Sequence, residues 1–366
     1  GLSLVPQLSF AKRGDVKITI LHTNDMHSHI QPFTSGRNKG LGGMAQRAGL
    51  INSIREKEDH VLLLDAGDIF QGTPYFNFYG GELEFKLMSE MKYDAVTIGN
   101  HDFDNGLEGF AKQLPHANFP FLIANYDFSD TILKEKFKAY KVFNKGGIKV
   151  GVFGIGIELD GLVPKKLYGN TIYKDPIETA NKYATLLKKE KKCDLVICLS
   201  HLGFKYKNEK VSDMVLATQS HDIDLIIGGH THTFLKKPVS MLNLDKKEVI
   251  INQVGWAGIN IGKVDFHFSQ KGGEKKVLGR SIFVKNSSER KQIESITKQL
   301  KGEINIKTIE FLDDANSLLV KEVKPNFRVL GPRFGRDMKA IVDIIQALTD
   351  EQVIELEENG TLKVEL

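Results

Sequence analysis

An α/β fold of alternating strands and helices is predicted for this 366-residue chain, and three observations predict it. Short apolar, β-branched runs recur through its first three quarters; amphipathic helical stretches separate them; and each run ends in polar, glycine-rich sequence. In order, KITILHT, HVLLLDA, DAVTIGN, FPFLIAN, IKVGVFGIG, CDLVICLS and IDLIIGG are the expected strands, and NIGKVDFHF is the last recognisable element of the core. In layered folds of this kind ligands gather beyond the carboxyl ends of the strands, which is where the polar residues fall.

Composition narrows the function classes. The chain is longer than one average domain, so a large catalytic domain with something smaller is expected. With 41% hydrophobic and 26% charged residues it has ordinary globular composition, and no stretch reads as a membrane span. A net charge of +4 is far from the dense basic stripe of a dedicated nucleic-acid binder, though it favours anionic substrates. The two cysteines, Cys193 and Cys198, fall in the run CDLVICLS. On a strand they point to opposite faces and do not bridge. The opening GLSLVPQLSFA reads as the end of an export segment, with small residues at Ser9 and Ala11 around Phe10, so a periplasmic or secreted protein is expected. A disordered arm or a cloning boundary over residues 1–15 is the alternative.

Five strand ends carry groups able to bind metal: Asp25 and His27 in NDMH, Asp68 in GD, Asn100 and His101 in GNHDFD, His201 in SHLG, and His230 and His232 in GGHTH. An isolated Asp or His after a strand is more often a turn former or a helix cap, so it is the set that carries weight. If these segments are extended, alternate residues point the same way, and Asp25 with His27, or His230 with His232, can share an ion. Carboxylate and imidazole donors without thiolates suit an open catalytic site for Zn, Mn, Fe, Co or Mg. An aspartate on a glycine turn, Asp68, can bridge two such ions.

The ordered motifs TNDMH, LLLDAGDIFQGTP, TIGNHDFDNG, SHLG and GGHTH resemble the calcineurin-like metallophosphoesterase superfamily, and most of all its bacterial 5′-nucleotidase branch, over residues 17–268. The resemblance implies a sandwich of two mixed sheets flanked by helices and two divalent ions. Asp25, His27 and His232 would hold one ion and Asn100, His201 and His230 the other, with Asp68 bridging. Many two-domain nucleotidases have Gln where this chain has His232. His101 matches the family's catalytic histidine, with Asp104 as its partner. A nucleotide or other phosphate ester is the implied substrate. Phosphomonoesterase activity is expected first, cyclic-nucleotide or nucleotide-sugar hydrolysis second, and an RNA-binding module with a degenerate metal site third. Asp102 reads as a solvated or capping neighbour, Arg47 as a solvated helix residue with phosphate contact as the alternative, and His22 and His29 as residues near the site that either pack or support the ligands from behind.

Composition turns charge-rich and helix-forming towards the C-terminus, and a boundary is expected between residues 270 and 287, giving a catalytic domain over 16–275 and a small α+β appendage over 287–366. The appendage, through KPNFRVLGPRFGRDMKAI, resembles the anticodon-side C-terminal region of bacterial isoleucyl-tRNA synthetases and contains none of a synthetase's active site. The juxtaposition reads as a chimera, by gene fusion, by engineering or by assembly error. Arg328, Arg333, Arg336 and Lys339 are expected to form a solvated basic face, with no tRNA bound, and the protein is expected to be a monomer.

Overall fold

The computed structural model describes residues 15–268 and 275–285. The expectations for the N-terminal arm and for the synthetase-like appendage lie outside these described residues. The strands are β1 (Val16–Thr23), β2 (Val61–Asp65), β3 (Ala95–Val96), β4 (Tyr126–Asp127), β5 (Tyr140–Lys145), β6 (Ile148–Ile155), β7 (Ile172–Tyr173), β8 (Leu195–Ser200), β9 (Leu225–Gly228), β10 (Val239–Leu242), β11 (Glu248–Asn252), β12 (Asn260–Phe268) and β13 (Lys275–Phe283). They form one sheet in the order β13-β12-β1-β2-β3, a second in the order β10-β11-β9-β8-β6-β5, and a small β4-β7 pair. Both large sheets are mixed: β1 runs parallel to β2 and antiparallel to β12, and β8 runs parallel to β6 and β9 while β5 runs antiparallel to β6.

Strand alternation sorts the side chains into layers. Ile18, Ile20, Leu62 and Leu64 of the first sheet meet Val150, Val152, Leu195, Ile197 and Leu225 of the second in one buried cluster. The intervening Leu21 and Leu63 face outward beneath the helix Met44–Arg55 and the Phe70, Phe85 and Phe121 rings, while Val196, Cys198 and Ile226 face the helices Pro176–Thr185 and Asp213–Thr218. The result is a two-sheet sandwich with helices on both outer faces.

Three sequence expectations change. FPFLIAN forms no extended strand; Phe121 and Leu122 make isolated bridges to Val96 and Lys138. Pro120 has no N–H to give a ladder, and Phe119 and Phe121 are drawn into the phenylalanine cluster. Cys193 precedes β8, so strand alternation does not reach it, and both thiols sit in the same outer core cluster; they remain free. The first sheet also runs past residue 275, the expected end of the larger domain. β13 pairs with β12 along its whole length, from Asn260 opposite Phe283 to Phe268 opposite Lys275. Beyond it, Val284 is fully buried and its carbonyl accepts from Gly42 N–H at 2.9 Å.

Truncation after Lys285 is therefore expected to preserve cooperative unfolding, whereas truncation after Gly273 removes β13 and exposes the edge of β12. The burial of Val284 alone is worth about 1.5–3 kcal/mol. Urea unfolding of the two truncated proteins compares them; equal midpoints would show that β13 is dispensable.

Candidate metal centre

β1, β2 and β3 of one sheet and β8 and β9 of the other end at the same edge of the sandwich, and the loops leaving them carry Asp25 and His27, Asp68, Asn100, His201, and His230 with His232. The backbone there is not extended. Asp25, His27, Asp68, His230 and His232 all have positive φ, between 46° and 72°. In this left-handed region an ordinary residue is strained by about 1–2 kcal/mol, and Asp and His are among the side chains that enter it most readily. Ladders between loops hold them there: Asp25, His27 and Ser28 N–H donate to the carbonyls of Gly67, Asp68 and Ile69 at 2.9, 3.0 and 2.9 Å. His230 N–H donates to the Asp25 carboxylate at 2.9 Å.

Two groups of side chains converge. One ligand atom each of Asp25, His27 and His232 lie within 4.8 Å of one another, as do those of Asp68, His201 and His230. His230 and His232 thus fall in different groups, so the shared ion expected from simple alternation is not what this backbone arranges. Asp68 Oδ2 stands between the groups, 3.0 Å from His201 Nε2 and 3.8 Å from His27 Nε2. Asn100 Oδ1 is 2.7 Å from His230 Nδ1. The ring tautomers suit cation binding. His27 Nδ1 lies 3.2 Å from the Phe70 carbonyl and His201 Nδ1 2.6 Å from the Ala66 carbonyl; protons on these atoms turn the Nε2 lone pairs inward. His27 Nε2 consequently faces His232 Nε2 at 3.0 Å, a contact that a proton on His232 can bridge and a cation can replace.

Electrostatics divide the imidazoles into two neutral ones and two that hold a proton while no cation competes for the Asp68 carboxylate. Burial lowers the pKa of His27, and burial with the charge of His201 brings His230 to about 4, so both imidazoles stay neutral. Burial opposes charge on His201, but Asp68 outweighs it and pushes the imidazole up to about 10. His101 shows the same balance: burial disfavours its cation, while the hydrogen bond to Asp104 and the charge of Asp68 raise it to about 9. His101 Nδ1 is 2.8 Å from Asp104 Oδ2, and the His101 backbone N–H donates to Asp68 Oδ1 at 2.8 Å.

The sequence pattern of the calcineurin-like phosphoesterase family matches residues 18–234. This chain belongs to that family. A snake venom 5′-nucleotidase of Crotalus adamanteus is 34% identical over 320 residues, covering 80% of the chain and 52% of its own length. The 5′-nucleotidase of Vibrio cholerae serotype O1 is 32% identical over 344 residues, covering 85% and 60%. Among solved structures, a 5′-nucleotidase precursor from Thermus thermophilus superposes with a TM-score of 0.70 at 29% identity, over 79% of this chain and 59% of that one. The calcineurin-like phosphoesterase YfkN of Bacillus subtilis gives 0.64 at 26% identity, over 82% of this chain and 99% of that one. The chain spans about half the length of the curated relatives it matches, 52% for the venom enzyme.

Two residues of this phosphoesterase differ from their sequence expectation. Asp102 is not solvated. It is fully buried, and its carboxylate accepts N–H bonds from Asp68, Ile69, Phe70 and Gly99 at 3.0, 2.9, 3.1 and 2.8 Å, clamping the Asp68 loop to the Asn100 loop. The loops meet so closely that a Cβ on Gly99 would strike the Asp68 carboxylate. Arg47 is not on a solvated face either: it is wholly buried against Met26 and Gly258. Among the other polar residues, Asn24 was not foreseen. Its amide donates to Asp25 Oδ2 and to the Gly255 carbonyl, both at 2.6 Å. His22, buried beside Asn252, is a packing residue whose pKa burial drops to about 3, and His29 stacks on Phe33.

Asp102→Asn turns an amide N–H₂ towards backbone donors, orphaning at least one at about 1–3 kcal/mol. The expected outcome is a lower unfolding midpoint together with weaker metal retention, checked by thermal denaturation and elemental analysis. Unchanged values for both would exclude the clamp.

Proposed function

We propose that the chain is the catalytic body of a two-metal phosphomonoesterase acting on 5′-nucleotides. The observation that carries this reading is Asp68 Oδ2, set between the two side-chain groups. Asp25, His27 and His232 would hold one ion, Asn100, His201 and His230 the other, and Asp68 would bridge them. Oxygen and nitrogen donors without thiolate fit Zn, Mn, Fe, Co or Mg. When bound, two such ions polarise a phosphate and lower the pKa of a coordinated water to near neutrality.

The remaining work falls to side chains. His101, charged and held at Nδ1 by Asp104, presents Nε2–H as a donor to a phosphoryl oxygen or the departing alkoxide. The Asp68 carboxylate fixes the His101 backbone through its N–H. The nucleotide preference is supported by the relatives, several of which are 5′-nucleotidases. A second reading, hydrolysis of phosphodiesters or nucleotide sugars, is supported by a 33% identical relative described as a trifunctional nucleotide phosphoesterase. The RNA-binding alternative has less support, because two groups of three side chains able to hold a metal stand side by side. Among the described residues no helix is long and apolar enough to cross a membrane. The character of residues 1–11 supports export to the periplasm or medium.

A panel of AMP, cyclic nucleotides, UDP-sugars and sugar phosphates, assayed with Mn, Zn, Co or Mg added in turn, separates the two readings; AMP is expected to be the best substrate. Asp68→Asn is expected to abolish hydrolysis and lower metal content, since an amide cannot bridge two cations. Two full equivalents with normal turnover would refute the bridge. His101→Ala is expected to keep both metals and slow turnover by about 10²–10⁴-fold. Loss of a metal in that variant would make His101 a ligand instead.

A further inference from the structure

The four imidazoles of the centre are not held alike. His27 and His201 each have Nδ1 beside a backbone carbonyl, from Phe70 and Ala66, while His230 Nδ1 meets the Oδ1 of Asn100, a fellow donor of its own group. His232 has no such oxygen at Nδ1 among the described residues, and its side chain is 40% exposed, against 6% for His27 and 0% for His201. A metal-binding histidine nearly always has a partner fixing its second nitrogen. What His232 has instead is a ring: the Trp256 indole lies parallel to the imidazole, with centroids 5.8 Å apart and planes 8° apart.

Trp256 is itself braced. The His29 and Phe33 rings meet it edge-on at 5.2 and 5.9 Å. Its loop, between β11 and β12, is tied to both segments that carry the first side-chain group. On one side Ala257 N–H donates to the Asp25 carbonyl at 2.7 Å, and Asn24 donates to the Gly255 carbonyl at 2.6 Å. On the other, Gly255 N–H donates to the Thr233 carbonyl at 3.0 Å, and Gln253 spans the turn, donating to Gly229 and accepting from Thr231. The loop therefore brackets Asp25 and His232 while lying beyond residue 234, where the family match ends.

We propose that Trp256 is a positioning residue for the ion held by Asp25, His27 and His232: its indole plane fixes the orientation of His232, the half-exposed ligand, in place of a hydrogen-bond partner. The stack restricts ring rotation about χ2, so Nε2 stays aimed at His27 Nε2 and the Asp25 carboxylate, 3.0 and 3.5 Å away. A planar aromatic is the requirement, and the indole N–H is not. This inference rests on the two-metal reading of the site.

Trp256 is the only tryptophan in the chain, which gives the test its own signal. The full-length protein, stripped of metal, is titrated with Mn²⁺; bound metal is measured by equilibrium dialysis and elemental analysis, and Trp256 emission is followed in parallel. The wild type is expected to bind two equivalents, with emission changing as the ion beside His232 is taken up. In Trp256→Ala one equivalent is expected to weaken by about 10–100-fold, the usual loss when an outer partner of a ligand is removed, while the other is retained. Trp256→Phe is expected to restore most of the lost affinity, which a requirement for the indole N–H would not allow. Two equivalents bound by Trp256→Ala at wild-type affinity would overturn the proposal. So would failure of Trp256→Phe to rescue, which would assign the effect to the indole N–H rather than to the ring plane, or loss of both equivalents together with the unfolding transition of the metal-free Ala variant, which would assign Trp256 to folding rather than to His232. Failure of the wild type to bind Mn²⁺ or Zn²⁺ at all would instead remove the two-metal reading.

Discussion

Metal-binding side chains crowded within a few ångströms of one another need restraint, and the end of this sandwich is built around supplying it. His27 Nε2 faces His232 Nε2 at 3.0 Å, and Asp25 Oδ1 lies 3.5 Å from that same His232 nitrogen and 3.9 Å from His201 Nε2. In water such groups would drift apart and solvate. Here the surrounding chain must supply the restraint, and much of the local architecture, from the glycine turns to the buried Asp102, serves that purpose.

The restraint has two tiers. The sheets set position: parallel β1, β2 and β3 in one layer and parallel β8 and β9 in the other end at a common edge, so five loops meet without any long excursion. Hydrogen bonds between loops then set orientation. Asp102 gathers four backbone donors from two loops, Asn24 joins the Asp25 loop to the β11–β12 turn, and backbone carbonyls select the tautomers of His27 and His201. Rigidity of this kind keeps the donors assembled before a cation binds, which spares the binding step an entropic penalty.

What could be read from sequence follows this division. The strands that carry the donors announce themselves as apolar runs, and the donors follow at their ends, so the layered α/β character and the convergence of Asp25, Asp68, His201 and His232 were legible, whereas the two-sheet sandwich came only with the family resemblance. The bonding of Asp102 was not. Its partners Asp68 to Phe70 lie more than thirty residues upstream, and an aspartate beside a helix start looks the same whether it meets water or a cluster of N–H groups. Arg47 was misread because helical periodicity cannot say that a glycine, Gly258, leaves room for a guanidinium beneath the neighbouring loop. β13 escaped notice because an edge strand with only one packed face, KKVLGRSIF, has the charge content of a linker. β5, β10 and β11 were missed on similar grounds, being short and largely polar on one face.

The left-handed backbone of the donor residues also limits the chemical alphabet available to evolution at these positions. Were coordination the sole criterion, glutamate could replace Asp25 or Asp68, and other donors could replace His27, His230 or His232. With φ held between 46° and 72° at these five of the seven donor positions, however, side chains that tolerate that conformation are favoured, and aspartate and histidine, which occupy all five, are among them. The short motifs of this centre are thus as much a record of dihedral angles as of ligand preference, and an exchange of donors made on coordination grounds alone would meet the backbone before it met the metal.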